Sequence, residues 1–131
     1  MQGRGRGRGR RRRRGHSRRA VRFLEPTLLL VLHHGPAHGY TLIGQLGEFG
    51  LEVDPSAIYR ALRDMEAQGW VTSSWDEEQT QGPPRRVYHL TAQGDEMLRW
   101  WTQDLRETRG MIDQLLGSYR LHMAEGEGDY H

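Results

Sequence analysis

Residues Asp54–Gly69 read DPSAIYRALRDMEAQG, and both ends of a helix are written into them. Asp54 is an N-cap residue. Pro55 suits the first helical position, where its missing N–H would have no partner, and Gly69 accepts the left-handed conformation that stops a helix. Between these ends the chain has two faces. Ile58, Ala61, Leu62 and Met65 form an apolar stripe, whereas Ser56, Tyr59, Arg60 and Arg63 recur at i, i+3, i+4 and i+7 on another side. The spacing predicts a helix that packs on one side and presents Ser, Tyr and two Arg to a partner on the other.

Upstream, the run Leu28–Leu32 is apolar all round, which marks a buried helix from about Glu25 or Pro26 to His34, ended by Gly35-Pro36. After the turn GPAHG, the spacing of Leu42, Ile43, Leu46 and Phe49 predicts a second helix from about Tyr40 to Phe49, with Gly50 as its stop. Downstream, WVTSSW (residues 70–75) and RRVYHL (residues 85–90) are β-rich runs on either side of the polar tip DEEQTQGPP, the pattern of a hairpin. Thr91 then caps a final helix. In it Leu98, Trp101, Leu105, Thr108, Ile112, Leu115 and Tyr119 step alternately by three and four, the spacing of a helix that packs on another long helix. The expected fold is mainly α with a small β-hairpin: a winged helix-turn-helix over residues 23–91, then one long C-terminal dimerisation helix over residues 92–120 and a flexible tail over residues 121–131.

The N-terminal stretch differs in kind. Residues 1–22 carry eleven Arg and no acid, a charge of +11, whereas the remainder carries eight Arg against seventeen Asp and Glu, a charge of −9. Gly and Arg in alternation offer no apolar surface to offset ordering entropy, so residues 1–22 are expected to be a disordered basic arm. A Gly-rich segment of about 20 residues has an r.m.s. span of roughly 25 Å. Because the body alone is acidic, its net charge argues for no polyanion partner.

Composition also excludes classes. The chain has no Cys, which rules out disulfide scaffolds, thiolate zinc sites and a Cys nucleophile. His34 and His38 are four apart, but Gly35-Pro36 breaks the helix that would align them, so neither a metal nor a cofactor is expected. The absence of Lys and of any paired nucleophile and base argues against an enzyme. Paired Arg before Phe23-Leu24 imitates an export leader. The apolar stretch Thr27–Leu32 is far short of the roughly 20 residues that cross a bilayer, and no cleavage site follows, so a cytoplasmic protein with no membrane partner is expected.

Three segments, LEPTLLLVLHHGPAHGYTLIGQL, DPSAIYRALRDMEAQGWV and GPPRRVYHLTAQGDEML, together resemble the PadR family of bacterial transcriptional regulators over about residues 24–120. The resemblance is carried by a G-P-x-H-G-Y turn at Gly35–Tyr40, a Y-R-A-L-R-x-M-E helix at Tyr59–Glu66 and a G-P-x-R-x-x-Y-x-L-T wing at Gly82–Thr91. The single short C-terminal helix is similar to the compact subgroup of that family. The resemblance implies a homodimer, double-stranded operator DNA as ligand, and repression relieved by a small-molecule effector. Two features depart from the family pattern. The wing tip carries Asp76, Glu77 and Glu78, which phosphate would repel, so the extreme tip is expected to face away from DNA; and the arginine arm lies outside the family core.

On this reading Arg60 and Arg63 are candidates for base contacts in the major groove, where Arg to guanine is the commonest specific pairing. Ser56, in the first turn of its helix, is placed to meet a phosphate or base edge. Tyr59 is implied by the resemblance as a phosphate donor. Tyr40 opens the second helix, whose N-terminal dipole favours an anion; the other reading is a Tyr packed between helices. Arg85 and Arg86 sit at the base of the wing, and alternation sends one of them toward DNA and the other toward an acid such as Glu66 or Asp64.

The dimerisation face is Leu98, Trp101, Leu105, Ile112, Leu115 and Tyr119. Trp100 and Trp101 form a candidate effector pocket, because the resemblance implies flat aromatic ligands near the dimer interface; the other reading is packing within the stripe. Arg10, Arg11, Arg12, Arg13, Arg14, Arg18 and Arg19 of the arm are candidates for non-specific DNA contacts. A rival reading makes the chain an RNA-binding or non-specific nucleic-acid-binding protein that acts through this Arg/Gly-rich arm.

Overall fold

The structure, a computed structural model, describes residues 22–76, 82–83 and 85–126. Arg10–Arg14, Arg18, Arg19, the wing-tip acids Glu77 and Glu78, and residues 127–131 lie outside the described residues.

The first helix, α1, occupies described residues 22–34, so Pro26 sits inside it rather than at its start. Proline there removes one backbone hydrogen bond and crowds the carbonyl four residues before it. Leu24, Leu28, Leu29, Val31 and Leu32 of α1 are all buried and form one wall of the core. A two-residue strand, β1 (Ala37–His38), follows directly; the hydropathy pattern gives no sign of it, since two residues carry no periodicity. Helix α2 spans Gly39–Glu48 and buries Leu42 and Leu46. Helix α3 spans Pro55–Ala67 and buries Ile58, Leu62 and Met65, the stripe expected from the spacing.

Both α2 and α3 end by the same device. Gly50 (φ 77°) follows α2, and the Leu51 N–H reaches back 3.1 Å to the Leu46 carbonyl; Gly69 (φ 85°) follows α3, and the Trp70 N–H reaches 2.9 Å to the Met65 carbonyl. A glycine at positive φ allows that six-residue closure without a Cβ clash.

Strands β2 (Val71–Trp75) and β3 (Arg86–Leu90) pair antiparallel from Val71 opposite Leu90 to Trp75 opposite Arg86. Strand β1 adds to the other edge of β3 through Ala37 opposite Tyr88 and His38 opposite Val87, giving the order β1-β3-β2. The expected hairpin is therefore the larger part of a three-stranded sheet, and β1 anchors the start of α2 to its central strand.

Helix α4 spans Ala92–Gly126, six residues beyond the expected end at residue 120. Thr91 caps it: its Oγ1 accepts from the Gly94 N–H at 3.0 Å, while its hydroxyl donates to the Gly69 carbonyl at 2.6 Å. Residues through Leu98 belong to one compact unit, and Arg99 onward to a second. In the second unit Met111, Ile112, Leu115, Leu116 and Tyr119 are exposed.

Gly94 fixes how closely α4 starts against the end of α3. A β-carbon there would run into the Trp70 carbonyl oxygen, which is backbone and has little freedom to retreat. Gly94→Ala is expected to lower stability by about 1–3 kcal/mol in a denaturant titration. Gly110→Ala, in the same helix but with nothing within 4 Å of the added carbon, is expected to be neutral or stabilising.

Candidate nucleic-acid interface

Ser56, Arg60 and Arg63 are exposed on α3, and Tyr59 between them is half-buried. Tyr59 is turned back over the first turn of α2: a β-carbon on Gly39 would lie 2.5 Å from Tyr59 Cε1 and 2.8 Å from its hydroxyl oxygen. A side chain at 39 would require the Tyr59 ring to move from this position. Sequence spacing placed Tyr59 on the same side of α3 as Ser56, Arg60 and Arg63 but carried no sign of its contact with α2.

The N-terminus of α2 is electrostatically open. His38 occupies its N-cap position without a side-chain capping bond, and its first turn contains no acid. Its N–H groups and the positive end of its dipole therefore remain available to an anion. Tyr40 in that turn is 77% exposed, so it is not packed between helices. At α3, Asp54 holds the expected N-cap position, yet its side chain makes no capping bond; its backbone carbonyl accepts from Ala57 at 2.9 Å and Ile58 at 3.2 Å instead.

The two wing arginines have different surroundings. Arg86 Nη1 donates to Ser73 Oγ at 2.7 Å, and Ser73 donates in turn to Glu66 Oε2 at 2.9 Å. The guanidinium of Arg86 also lies 4.6 Å from the centroid of the Trp75 ring, within cation–π range. Arg86 is thus engaged on the sheet surface and, through Ser73, with the acid on α3, whereas Arg85 is exposed at the mouth of the hairpin. Asp76, first of the wing-tip acids, lies with its Oδ2 2.9 Å from His38 Nε2 and its N–H 2.7 Å from the Arg85 carbonyl.

These elements enclose a cleft of about 500 Å³ lined by His38, Gly39, Tyr40, Tyr59, Arg85, Arg86 and Tyr88. Tyr88 is only 6% exposed, and its hydroxyl makes no hydrogen bond to a described residue. It is also not among the sealed polar atoms, so it opens onto the cleft. Burial pushes its pKa above the usual tyrosine value, with Glu66 and Tyr59 raising it further against the opposing pull of Arg86 and Arg63, so near neutral pH it is a neutral donor. Sequence reasoning missed Tyr88, because a Tyr in a β-rich run reads first as a strand former. The available signal was alternation, which puts it on the same face of β3 as Arg86.

Elsewhere, His33 Nδ1 lies 3.3 Å from Asp95 Oδ1, and no group of three or more metal-ligating side chains occurs among the described residues. Trp100 and Trp101 contact each other edge to face at 5.4 Å, Trp100 exposed and Trp101 half-buried. No described helix is long and apolar enough to cross a membrane.

The model of the transcriptional regulator PadR-like family matches residues 28–100. The transcriptional regulator Rv3488 of Mycobacterium tuberculosis is 33% identical over 92 residues, covering 68% of this chain and 81% of that protein. Among solved structures, a PadR family transcription regulator from Clostridium difficile superposes with a TM-score of 0.66 at 26% identity, covering 72% of this chain and 98% of that one. A PadR-like transcriptional regulator from Bacillus cereus does so with a TM-score of 0.64 at 26% identity, covering 72% and 91%.

Proposed function

We propose, given that this chain belongs to the PadR-like family of transcriptional regulators, that it is a dimeric, sequence-specific repressor that reads double-stranded operator DNA with α3. The observation that carries this reading is a single surface on which exposed Ser56, Arg60 and Arg63 adjoin, through Tyr59, the uncapped N-terminus of α2 and the wing arginine Arg85. Arg60 and Arg63 offer donors to base edges in the major groove, and Ser56 meets a base edge or phosphate. Tyr40, Tyr59 and Arg85 hold the backbone, which positions the protein without reading sequence. Arg86 supports the wing from its place between Ser73 and Trp75. The exposed apolar face of α4 pairs with a second copy, and two copies address the two halves of a pseudo-palindrome. An effector bound beside Trp100 and Trp101 would relieve repression by favouring a dimer geometry that fits the operator less well.

Residues 1–22 are assigned to non-specific affinity. Each phosphate that an arm arginine neutralises steepens the fall of log K with log salt by about 0.9 on duplex DNA. Deleting residues 1–19 is expected to weaken binding to operator and to random duplex alike and to flatten the salt slope, measured by titration across salt concentrations. A selective loss of operator preference would contradict that assignment.

The charge of the arm, +11, also favours a second reading, in which the chain binds single-stranded RNA through that segment. Competition of RNA against the duplex at equal salt separates the two. The repressor reading expects duplex to win through α3, and RNA displacing the duplex at equal concentration would overturn it.

A further inference from the structure

The side of α3 that carries Arg63 also carries an acid. Glu66 follows Arg63 by three residues, and side chains three apart on a helix surface are neighbours, close enough for an Arg–Glu pair to close. Such a pair would occupy the donors that Arg63 needs for a base edge. The structure shows the carboxylate bound elsewhere: Glu66 Oε2 accepts from the Ser73 hydroxyl at 2.9 Å, and Ser73 Oγ in turn accepts from Arg86 Nη1 at 2.7 Å. Arg86 is held in that position by the Trp75 ring as well, whose centroid lies 4.6 Å from the guanidinium. Arg63 is exposed and makes no hydrogen bond or ion pair to a described residue. Tyr88, its pKa raised chiefly by burial, feels Glu66 and Arg63 with opposite signs, so both charges lie near one residue of the sheet.

We propose that Ser73 and Arg86 are positioning residues for Arg63: they hold the Glu66 carboxylate on the sheet and so keep the Arg63 guanidinium free for a base edge. The proposal rests on the DNA-binding reading above, and it gives the wing a part in specificity that needs no contact between Arg86 and DNA. A released Glu66 carboxylate opposes binding in two ways. It competes for the Arg63 donors, and it brings a negative charge toward a polyanion. Asp64 supplies a comparison within the same helix. It too is an exposed acid, but it is adjacent to Arg63 in sequence and so points about 100° round the helix from it, where the two side chains do not face each other.

Ser73→Val in the full chain tests this, because valine suits a strand and sets methyl groups where the hydroxyl linked Arg86 to Glu66. Affinity is measured on a duplex selected by the wild-type protein from a random pool, and base preference by repeating the selection with each variant. Ser73→Val is expected to lose about two- to five-fold in affinity per half-site, the worth of an exposed ion pair, and to relax preference at the same base position as Arg63→Ala. Adding Glu66→Gln should restore both. Adding Asp64→Asn, which removes the same charge from the same helix, should leave the preference relaxed. In an Arg63→Ala background Ser73→Val should lose nothing further, because the residue it acts through is gone. A purely structural role for Ser73 would give neither the rescue nor that silence. If Ser73→Val lowers the melting temperature, Ser73→Ala, which adds no atoms, carries the same comparison with the same expected rescue. Wild-type preference in both Ser73 variants, a loss that Glu66→Gln does not repair, or a rescue that Asp64→Asn matches would each overturn the proposal. A wild-type protein that selects no duplex, or an Arg63→Ala variant with unaltered preference, would instead overturn the DNA-binding reading on which it rests.

Discussion

Leu115→Glu is expected to convert the proposed dimer to a monomer at micromolar concentration and to lower operator affinity by at least about 100-fold. Leu115 is 67% exposed in the single chain and lies with Met111, Ile112, Leu116 and Tyr119 on one side of α4. A contiguous apolar face of that kind on a helix is the seam on which a second helix packs. A carboxylate at its centre would have to be buried without a partner, which costs far more than the lost leucine contacts alone. The loss of affinity exceeds the loss of any single DNA contact because a dimer binds its second half-site intramolecularly, a gain of about 10²–10⁴ that a monomer forfeits. Leu121→Glu is the control. Leu121 is equally exposed at 65%, but it lies two residues past Tyr119 and so about 200° round the helix from it. Sedimentation of the two variants should separate them cleanly; dimers from both would remove α4 from the interface.

Arg63→Ala is expected to weaken operator binding by about 10- to 100-fold and to relax preference at one base position, ~1–3 kcal/mol of lost discrimination. Arg60→Ala should behave in the same way at a different position. Both side chains are exposed on α3, and neither makes a hydrogen bond or ion pair to a described residue, so truncation leaves stability within about 0.5 kcal/mol. Random duplex should be bound almost as well as by the wild type, since it is held by phosphate contacts that these variants retain. Selection of preferred sequences by each variant reads out the change. If neither alters the preferred sequence, the presented face of α3 is not the reading face.

Much of this arrangement was legible in the sequence because the signals are local. Pro55 and Gly69 bracket α3, its apolar stripe returns as the buried Ile58, Leu62 and Met65, and Thr91 makes the capping bond that its position before α4 implied. Alternation gave Arg85 and Arg86 different directions, and the structure links Arg86 to Glu66 only indirectly, through Ser73. What escaped was short or non-local. Strand β1 is two residues long, too brief for any period to register, yet it pins α2 to the sheet. The approach of Tyr59 to Gly39 joins residues from two helices that no spacing rule connects. Tyr88 looked like an ordinary strand residue, and only the packing of α2 and α3 beside β3 brings it to the lining of the cleft. Asp54 shows the opposite error: the capping position was right, but the carboxylate takes no part in it.

The central claim is that α3 reads a particular duplex sequence, and footprinting the purified full chain on the DNA that flanks its own gene tests it most directly. The expected result is a discrete protected segment with pseudo-two-fold symmetry, retained when the salt is raised enough to release random duplex, and lost first with Arg63→Ala. Uniform protection that disappears with rising salt, or no protection on any duplex, would contradict it and leave the charge of the arm as the source of whatever nucleic-acid binding remained.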